Sequence, residues 1–194
     1  TFNLSTQEIE PCQTTHHYAG RKEPIDVLAR LLKKYTEKKA FEAHLQAYVV
    51  QNIGRNKNGS LDQCLLQGLP IEWIGNEVSC GVGMQRIDVM LSLVNSKQRI
   101  VVPIELKAVE AGSIDTIQIQ RYIDWLQQYY VPNRVSDVQP VLIAKKYQDK
   151  ASADFREMLA GFGEFNKKNQ PCLPLRYIEY EVNNKALHFT AIDY

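Results

Sequence analysis

The stretch RIDVMLSLVNSKQRIVVPIELKAV, residues 86–109, decides how the rest of the chain can fold. Two runs rich in Val, Ile and Leu are separated by the polar residues Asn95 to Gln98. Runs of this composition joined by a short polar loop are typical of a β-hairpin. The stretch therefore predicts two antiparallel neighbours, one starting near Arg86 and the other near Arg99.

Charged residues interrupt both strands of this hairpin. Glu105 and Lys107 stand two positions apart, so they share one face of the second strand, whereas Leu106 points to the other face. Asp88 stands inside the first strand, and the hairpin would bring it beside Glu105. A buried charge is costly unless it has a partner, so these groups form either a functional site or a structural salt-bridge cluster.

Two carboxylates at the rim of a sheet suit a hard divalent cation. Mg²⁺ prefers oxygen ligands in octahedral geometry at about 2.0–2.1 Å and keeps several waters, so one or two carboxylates can hold it beside a phosphodiester. A charged lysine cannot bind the ion, but Lys107 can hold a metal-bound water or neutralise charge on the phosphate. The sequence thus predicts a Mg²⁺ site, which Mn²⁺ could also fill.

Helical patterns precede the hairpin and follow it. Before it, we predict a helix starting at Pro24, and a second helix or a continuation of the first that ends near Gly54. After it, Ser113 or Asp115 would cap a helix, with Gln118 completing a capping box. The remaining predicted elements are a buried strand in QPVLIAKKY, a helix in SADFREMLAGFGEFNKK and a terminal hairpin turning at Asn183-Asn184.

The order helix, three strands, helix, strand, helix, hairpin predicts an α/β sandwich around a mixed sheet. The chain has 194 residues, 44% of them apolar, and a formal net charge of +1. We expect an arm over residues 1–22 and one domain over residues 23–194. No apolar run approaches the ~20 residues that cross a bilayer, so we expect a soluble cytoplasmic protein with no membrane partner.

The cysteines and glycines offer little alternative chemistry. The four cysteines are far apart and form no C-x-x-C pair, which favours reduced thiols. Cys12 with His16 or His17 could ligate a metal, but no second ligand pair follows at zinc-finger spacing. GVGMQR, starting at Gly81, leads into a strand where a phosphate loop needs a helix, so we expect no nucleotide cofactor.

The order of these motifs resembles the PD-(D/E)xK phosphodiesterase superfamily of restriction and repair nucleases. RID at 86–88 is followed by PIELK at 103–107, an earlier helix carries Glu42, and QIQRYIDWL carries Gln118 and Tyr122. Within that superfamily the RecB-like branch, with the catalytic domain of NucS-type endonucleases, is the most similar. The resemblance spans residues 39–145 and implies a restriction endonuclease-like three-layer sandwich.

The resemblance also implies a role for each matched residue. Asp88, Glu105 and the main-chain carbonyl of Leu106 would bind the metal, and Glu42 would support the metal shell. Lys107 would serve the attacking water. Glu42 could equally be an exposed helix carboxylate.

Gln118 and Tyr122 would brace the site or touch the phosphate backbone. They stand at i and i+4, so they share one helix face that can be aimed at the sheet rim. The alternative is that they form a polar flank of a packed helix. One departure from the family pattern is Pro103, which cannot donate to a ladder, so pairing must be interrupted there or the strand must lie on a bulged edge.

The function that the resemblance implies is that of a Mg²⁺-dependent endonuclease acting on DNA, of restriction or repair type. The alternative is an inactive nuclease-fold module that binds DNA or a protein; a site for a small anionic ligand is the weaker third possibility. Cutting two strands commonly needs two active sites, so we expect a homodimer. Candidate DNA contacts are Arg55, Lys57, Arg86, Lys145 and Lys146, with packing by Tyr129, Tyr130 and Tyr147, although the basic clusters could also be solvated faces.

Overall fold

The computed structural model describes residues 2–3, 5–9, 25–55, 57–81 and 85–194. Two short strands, β1 (Phe2–Asn3) and β2 (Glu8–Ile9), pair as an antiparallel ribbon. The main sheet has seven strands, which are β3 (Ile71–Ser79), β4 (Arg86–Val94), β5 (Arg99–Glu110), β6 (Asp137–Val138), β7 (Val141–Lys145), β8 (Arg176–Asn183) and β9 (Ala186–Ile192).

The sheet is mixed. Its strand order is β3-β4-β5-β7-β8-β9, with the short β6 also paired to β5. The β3, β4 and β5 neighbours are antiparallel, β5 runs parallel to β6 and β7, β7 runs parallel to β8, and β9 returns antiparallel. The strand β5, which carries Glu105 and Lys107, thus lies inside the sheet.

Helices cover both faces of the sheet. They are α1 (Val27–Thr36), α2 (Glu42–Asn52), α3 (Gly59–Leu66), α4 (Asp115–Trp125), which continues as a π-helical turn over Leu126–Tyr130, and α5 (Ala153–Lys168). One apolar core lies between the sheet and α1, α2 and α3, and a second lies between the opposite face and α4 and α5. The predicted three-layer α/β sandwich with a terminal hairpin is therefore confirmed.

The hairpin that decides the fold forms as predicted. β4 ends at Val94, β5 begins at Arg99, and the Asn95 amide nitrogen donates to the Gln98 carbonyl at 3.0 Å across the turn. Val89 pairs with Ile104, so the same register sets Asp88 opposite Glu105. The structure thus brings the two carboxylates onto adjacent strands.

Pro103 lies in the centre of the sheet, not on a bulged edge. It pairs with Met90 on one side. The carbonyl of Val101 accepts from the Gln139 amide nitrogen, and alternate residues of a strand direct their polar groups to the same side. The Pro103 nitrogen therefore points toward the gap between β6 and β7. No strand of the described residues pairs with β5 in that gap, so the missing backbone N–H costs no hydrogen bond.

Several predicted boundaries are wrong. The first helix begins at Val27, because the Asp26 carboxylate caps it by accepting from the Ala29 amide nitrogen at 2.8 Å. Neither Ser113 nor Asp115 caps α4: Ile114 takes that position without a side-chain hydrogen bond, and the Asp115 carboxylate accepts from the Gly112 amide nitrogen.

The capping-box role given to Gln118 is also wrong, because its amide donates to the Tyr122 hydroxyl instead. The terminal hairpin turns at Asn184 and Lys185, which both have positive φ, one position later than predicted. Helix α3 was not predicted at all: Asn58 caps it and its apolar stripe is only one turn long.

Other predictions fall where the structure gives no description. Cys12, His16 and His17, and most of the arm over residues 1–22, lie outside the described residues. Among the described helices, none is long and apolar enough to cross a membrane.

Candidate active site where strands β4 and β5 diverge

The candidate site lies at the end of the sheet where the β4–β5 ladder stops. The last backbone pair is Val89 with Ile104. One residue further, the Asp88 carboxylate takes the place of a backbone acceptor, because its Oδ2 accepts from the Leu106 amide nitrogen at 2.8 Å. Divergence of the two strands thus turns a carboxylate toward backbone groups that the ladder no longer uses.

Glu42 reaches the same strand from the first turn of α2. Its Oε2 accepts from the Ala108 amide nitrogen at 3.3 Å, two residues beyond the amide that Asp88 binds. Within a strand, the amide and the carbonyl of one residue point to the same side. The Leu106 carbonyl is therefore directed to the edge on which the carboxylates of Asp88 and Glu42 lie.

Glu105 is almost fully buried, with 1% of its surface exposed. Lys107 Nζ lies 2.6 Å from its Oε1, and the Tyr122 hydroxyl lies 2.6 Å from its Oε2. The Gln118 amide donates to that hydroxyl at 2.7 Å, and the Arg86 carbonyl lies 2.7 Å from it on the other side. Helix α4 thus fixes the orientation of the Glu105 carboxylate.

This arrangement bears on the roles predicted for Gln118 and Tyr122 on α4. Tyr122 is buried and its hydroxyl contacts Glu105, a geometry that favours bracing of Glu105 over contact with a phosphate backbone. Gln118 supports Tyr122 in turn. Lys107 keeps 20% of its side chain exposed and lies 3.9 Å from Asp115 Oδ1, whereas Glu42 is exposed and Asp88 is half-buried, so the site is open to solvent mainly on the Glu42 side.

The electrostatics of the site oppose full ionisation of its acids. Burial, together with the Glu105 charge, raises the pKa of Asp88 to about 7. Burial also raises the pKa of Glu105, although Lys107 and Tyr122 partly offset it. Burial lowers the pKa of Lys107, but its hydrogen bond to Glu105 and the surrounding carboxylates outweigh that effect and raise it overall. A second cation beside the carboxylates would stabilise their charged forms and lower their pKa values.

Gln46 is a site residue that sequence reasoning missed. It lies one turn after Glu42 on α2, and its amide nitrogen donates to the Asp88 carbonyl at 2.8 Å and to Glu77 Oε1 at 2.7 Å. Glu77 has a positive φ of 54° within edge strand β3 and also binds Arg86 at 3.0 Å. The i, i+4 spacing of Glu42 and Gln46 was the available signal, since it places both on one helix face.

The donor set fits a sparsely ligated Mg²⁺. Among the described residues, no three Asp, Glu, His or Cys side chains are grouped closely enough to enclose a metal ion. Mg²⁺ does not require such a cage, because it commonly keeps several waters and takes one or two carboxylates. The carboxylates of Asp88 and Glu105 come from neighbouring strands and are hard oxygen donors of that kind. The Leu106 carbonyl, which points to the side bound by Asp88 and Glu42, is a third.

The candidate DNA contacts are scattered. Arg86 forms an ion pair with Glu77, and Lys146 pairs with Glu181 at 2.8 Å. Lys145 lies 5.7 Å from the centre of the Tyr35 ring.

Arg55 and Lys57 follow the last turn of α2, whereas Glu42 opens it. An 11-residue helix spans about 16 Å, so the structure does not bring these two residues to the site. Of the three aromatic candidates, Tyr129 is exposed, Tyr130 is half-buried, and Tyr147 packs against Phe155 with ring centres 5.0 Å apart.

Neither a protein-family model nor a curated protein matches this chain. Among solved structures, the chain is similar to the restriction endonuclease FokI bound to DNA, with 12% sequence identity and a TM-score of 0.37. The match covers 84% of this chain and 31% of that one, so this chain spans about a third of the FokI chain. The mixed, helix-flanked sheet fits the restriction endonuclease-like fold expected from sequence.

Proposed function

We propose that this chain is a metal-dependent nuclease that hydrolyses phosphodiester bonds of DNA. The observation that carries the proposal is that Asp88 and Glu105 lie on neighbouring strands where the β4–β5 ladder ends. Lys107 is hydrogen-bonded to Glu105 at 2.6 Å. Burial, together with the charge of Glu105, raises the pKa of Asp88 to about 7, so ionising both acids is costly unless a cation binds beside them. Such crowding is characteristic of functional sites.

Each side chain has a defined task in this proposal. Asp88, Glu105 and the Leu106 carbonyl would hold Mg²⁺, or Mn²⁺ in its place, and Glu42 would support the metal shell. The metal, when bound, supplies a Lewis acid that polarises the phosphate and activates water. Lys107, whose side chain is 20% exposed, orients the attacking water and stabilises negative charge that develops on the phosphate.

Tyr122 and Gln118 act on Glu105 and not on the substrate. The Tyr122 hydroxyl holds one carboxylate oxygen while Lys107 lies against the other. A carboxylate fixed in this way loses little conformational freedom when it binds a cation. Tyr122 and Gln118 are therefore positioning residues.

One observation favours a second candidate, an inactive nuclease-fold module that binds DNA or a protein. Both oxygens of Glu105 already have hydrogen-bond partners, as in a structural salt-bridge cluster. The two candidates differ in what they expect of Asp88. A structural cluster gains nothing from a second acid whose pKa is raised, whereas a metal site uses it.

Digestion of DNA by the purified chain tests the proposal. With Mg²⁺ or Mn²⁺ we expect cleavage of plasmid or oligonucleotide duplexes, and EDTA should stop it. Glu105→Ala and Lys107→Ala should each abolish cleavage while the circular dichroism spectrum stays that of the wild type. Undiminished cleavage by both variants would refute the site assignment, and absence of cleavage by the wild type on duplex, single-stranded, branched and mismatched DNA would favour the inactive module.

The same digestion distinguishes the two nuclease types. Discrete plasmid fragments indicate a restriction enzyme, and cleavage confined to branched or mismatched DNA indicates repair. We also propose that two copies act together as a homodimer, because two strands need two sites. A chain that sizes as a monomer both on and off DNA would contradict the dimer.

A further inference from the structure

A groove with a volume of about 600 Å³ adjoins the candidate site. Its lining residues are Tyr35, Thr36, Lys38, Lys39, Ala40, Phe41, Ala108, Val109 and Lys145. Phe41 precedes Glu42 in the chain and Ala108 follows Lys107, and the Glu42 carboxylate binds the Ala108 amide. Ala108 points to the α1/α2 face of β5, where the groove lies, whereas Lys107 points to the α4 face. The groove therefore reaches the site beside Glu42, and a chain molecule bound at the site could continue past Glu42 into the groove.

Two of the three lysines in this groove have no acidic partner. Lys39 pairs with Glu37 at 2.7 Å, but Lys38 and Lys145 form no ion pair with any residue that the structure describes. This distinguishes them from Arg86 and Lys146, which are both paired. An unpaired ammonium group beside a groove is free to meet an anion.

The backbone conformation at Lys38 bears on how its charge can be tested. The Lys38 amide donates to the Tyr35 carbonyl at 3.1 Å and the Lys39 amide donates to the Lys34 carbonyl at 2.9 Å, which is the Schellman ending of a helix. Lys38 has φ of 53° at the position where glycine is usually found. Glycine would therefore suit this backbone position better than lysine, so a change of Lys38 to glycine can remove the charge without straining the helix end.

The rest of the groove surface is apolar and aromatic. Val109 is 64% exposed, the Phe41 ring lies under the groove, and Lys145 lies against Tyr35. Apolar surface suits sugar rings, and lysine ammonium groups suit phosphates as point charges. An extended nucleic-acid strand presents both kinds of group in alternation, which matches the lysines and the apolar surface of the groove.

We propose that the nucleic-acid strand cut at the Asp88–Glu105 site continues through this groove, with Lys38 and Lys145 binding backbone phosphates that flank the scissile one. The inference rests on the proposed function and adds the path of the substrate. It also excludes Arg55 and Lys57 from that path, because they lie beyond the other end of α2.

Salt-dependent binding of a fluorescein-labelled DNA duplex, and of the matching single strand, tests this path. Binding is measured on the full chain in EDTA, so that no cleavage occurs. Lys38→Gly removes the charge and suits the backbone conformation, and Lys145→Ala removes the second charge. Lys97→Ala is the matched control, because Lys97 is an exposed lysine in the turn at the other end of the β4–β5 hairpin.

Each groove variant should weaken binding roughly fivefold to tenfold at 0.1 M salt and make the slope of log K against log salt about 0.7–0.9 less negative. Lys97→Ala should change neither quantity, and Lys38→Gly should melt no lower than the wild type. Unchanged affinity and salt slope in both groove variants would contradict the proposed substrate path. An equal loss of affinity in Lys97→Ala, or failure of the wild type to bind either DNA, would contradict it as well. If the wild type binds through these lysines but never cleaves with Mg²⁺, the path stands and the nuclease function fails.

Discussion

Two nearly buried glutamates on central strands have almost the same immediate partners but different surroundings. Glu105 on β5 binds Lys107 and the Tyr122 hydroxyl, and Glu179 on β8 binds Lys150 at 2.6 Å and the Tyr177 hydroxyl at 3.2 Å. Their exposed fractions are 1% and 3%.

The surroundings differ in negative charge. Near Glu105, Asp88 lies one residue beyond the last β4–β5 pair and Glu42 approaches from α2, and both raise the electrostatic cost of ionising the acids together. At Glu179 the additional donor is the neutral Tyr147 amide, and the neighbouring acids Glu110 and Glu181 have donors of their own, the Gln148 amide and Lys146. A buried carboxylate needs only one cation and its hydrogen bonds to be satisfied. The acids added at Glu105 therefore require an explanation that the Glu179 pair does not, and a metal site provides one.

The largest expected difference is in nuclease activity. Glu105→Gln removes a charged metal ligand and should lower kcat for DNA cleavage with Mg²⁺ by at least about a hundredfold. Glu179→Gln makes the same chemical change at the structural pair and should leave kcat within about threefold of the wild type. Cleavage time courses on one duplex measure both. Equal losses in the two variants would remove the distinction between them.

Stability should change in opposite directions at the two regions. The pKa of Asp88 is about 7 in the fold and lower in the unfolded chain, so its stabilising contribution is complete at acidic pH and is lost as the pH rises through 7. Without metal at about pH 8, Asp88→Asn should raise the free energy of unfolding by roughly 1–3 kcal/mol, because the neutral amide can still accept from the Leu106 amide.

At the other region, Glu179→Gln should lower the free energy of unfolding by about 1 kcal/mol, because Lys150 loses its partner but is 41% exposed. Urea denaturation of wild type and both variants in EDTA measures these changes. An Asp88→Asn protein that is less stable than the wild type at this pH would support a structural salt-bridge cluster.

A smaller effect is expected one contact away from the acids. Gln46→Ala removes the amide that binds the Asp88 carbonyl and Glu77, so the Asp88 strand should be held less firmly. We expect kcat to fall about tenfold, and the Mg²⁺ concentration for half-maximal cleavage to rise, with little change in the KM for DNA. Gln51→Ala, near the other end of α2, is the matched control. If the two variants behave alike, Gln46 has only a structural role.

Much of the site could be predicted from sequence because it depends on local periodicity. The alternation of the hairpin set Glu105 and Lys107 on one face, and the length of the Asn95–Gln98 turn fixed the register that brings Asp88 across from Glu105. The i, i+4 spacing likewise set Gln118 beside Tyr122. These relations need no knowledge of tertiary structure.

The remainder depended on contacts between distant segments. Gln46 gains its role only because α2 packs where β3 and β4 meet, through Glu77 and the Asp88 carbonyl. The DNA contacts expected from charge clusters stay predictions, because sequence does not show which cations have acidic partners. Arg86 and Lys146 are paired, whereas Lys145 forms no ion pair within the described part of the chain.

The most direct test of the comparison is a calorimetric titration of Mg²⁺ into the wild type, Glu105→Gln and Glu179→Gln, with bound DNA and at two pH values. We predict that the wild type and Glu179→Gln bind Mg²⁺ with the same affinity and that Glu105→Gln does not bind it. Wild-type affinity should be roughly tenfold higher at about pH 8 than at about pH 6, because the Asp88 carboxyl, whose pKa is about 7, must lose its proton to bind the metal. Absence of Mg²⁺ binding by the wild type, or binding that survives in Glu105→Gln, would contradict the account.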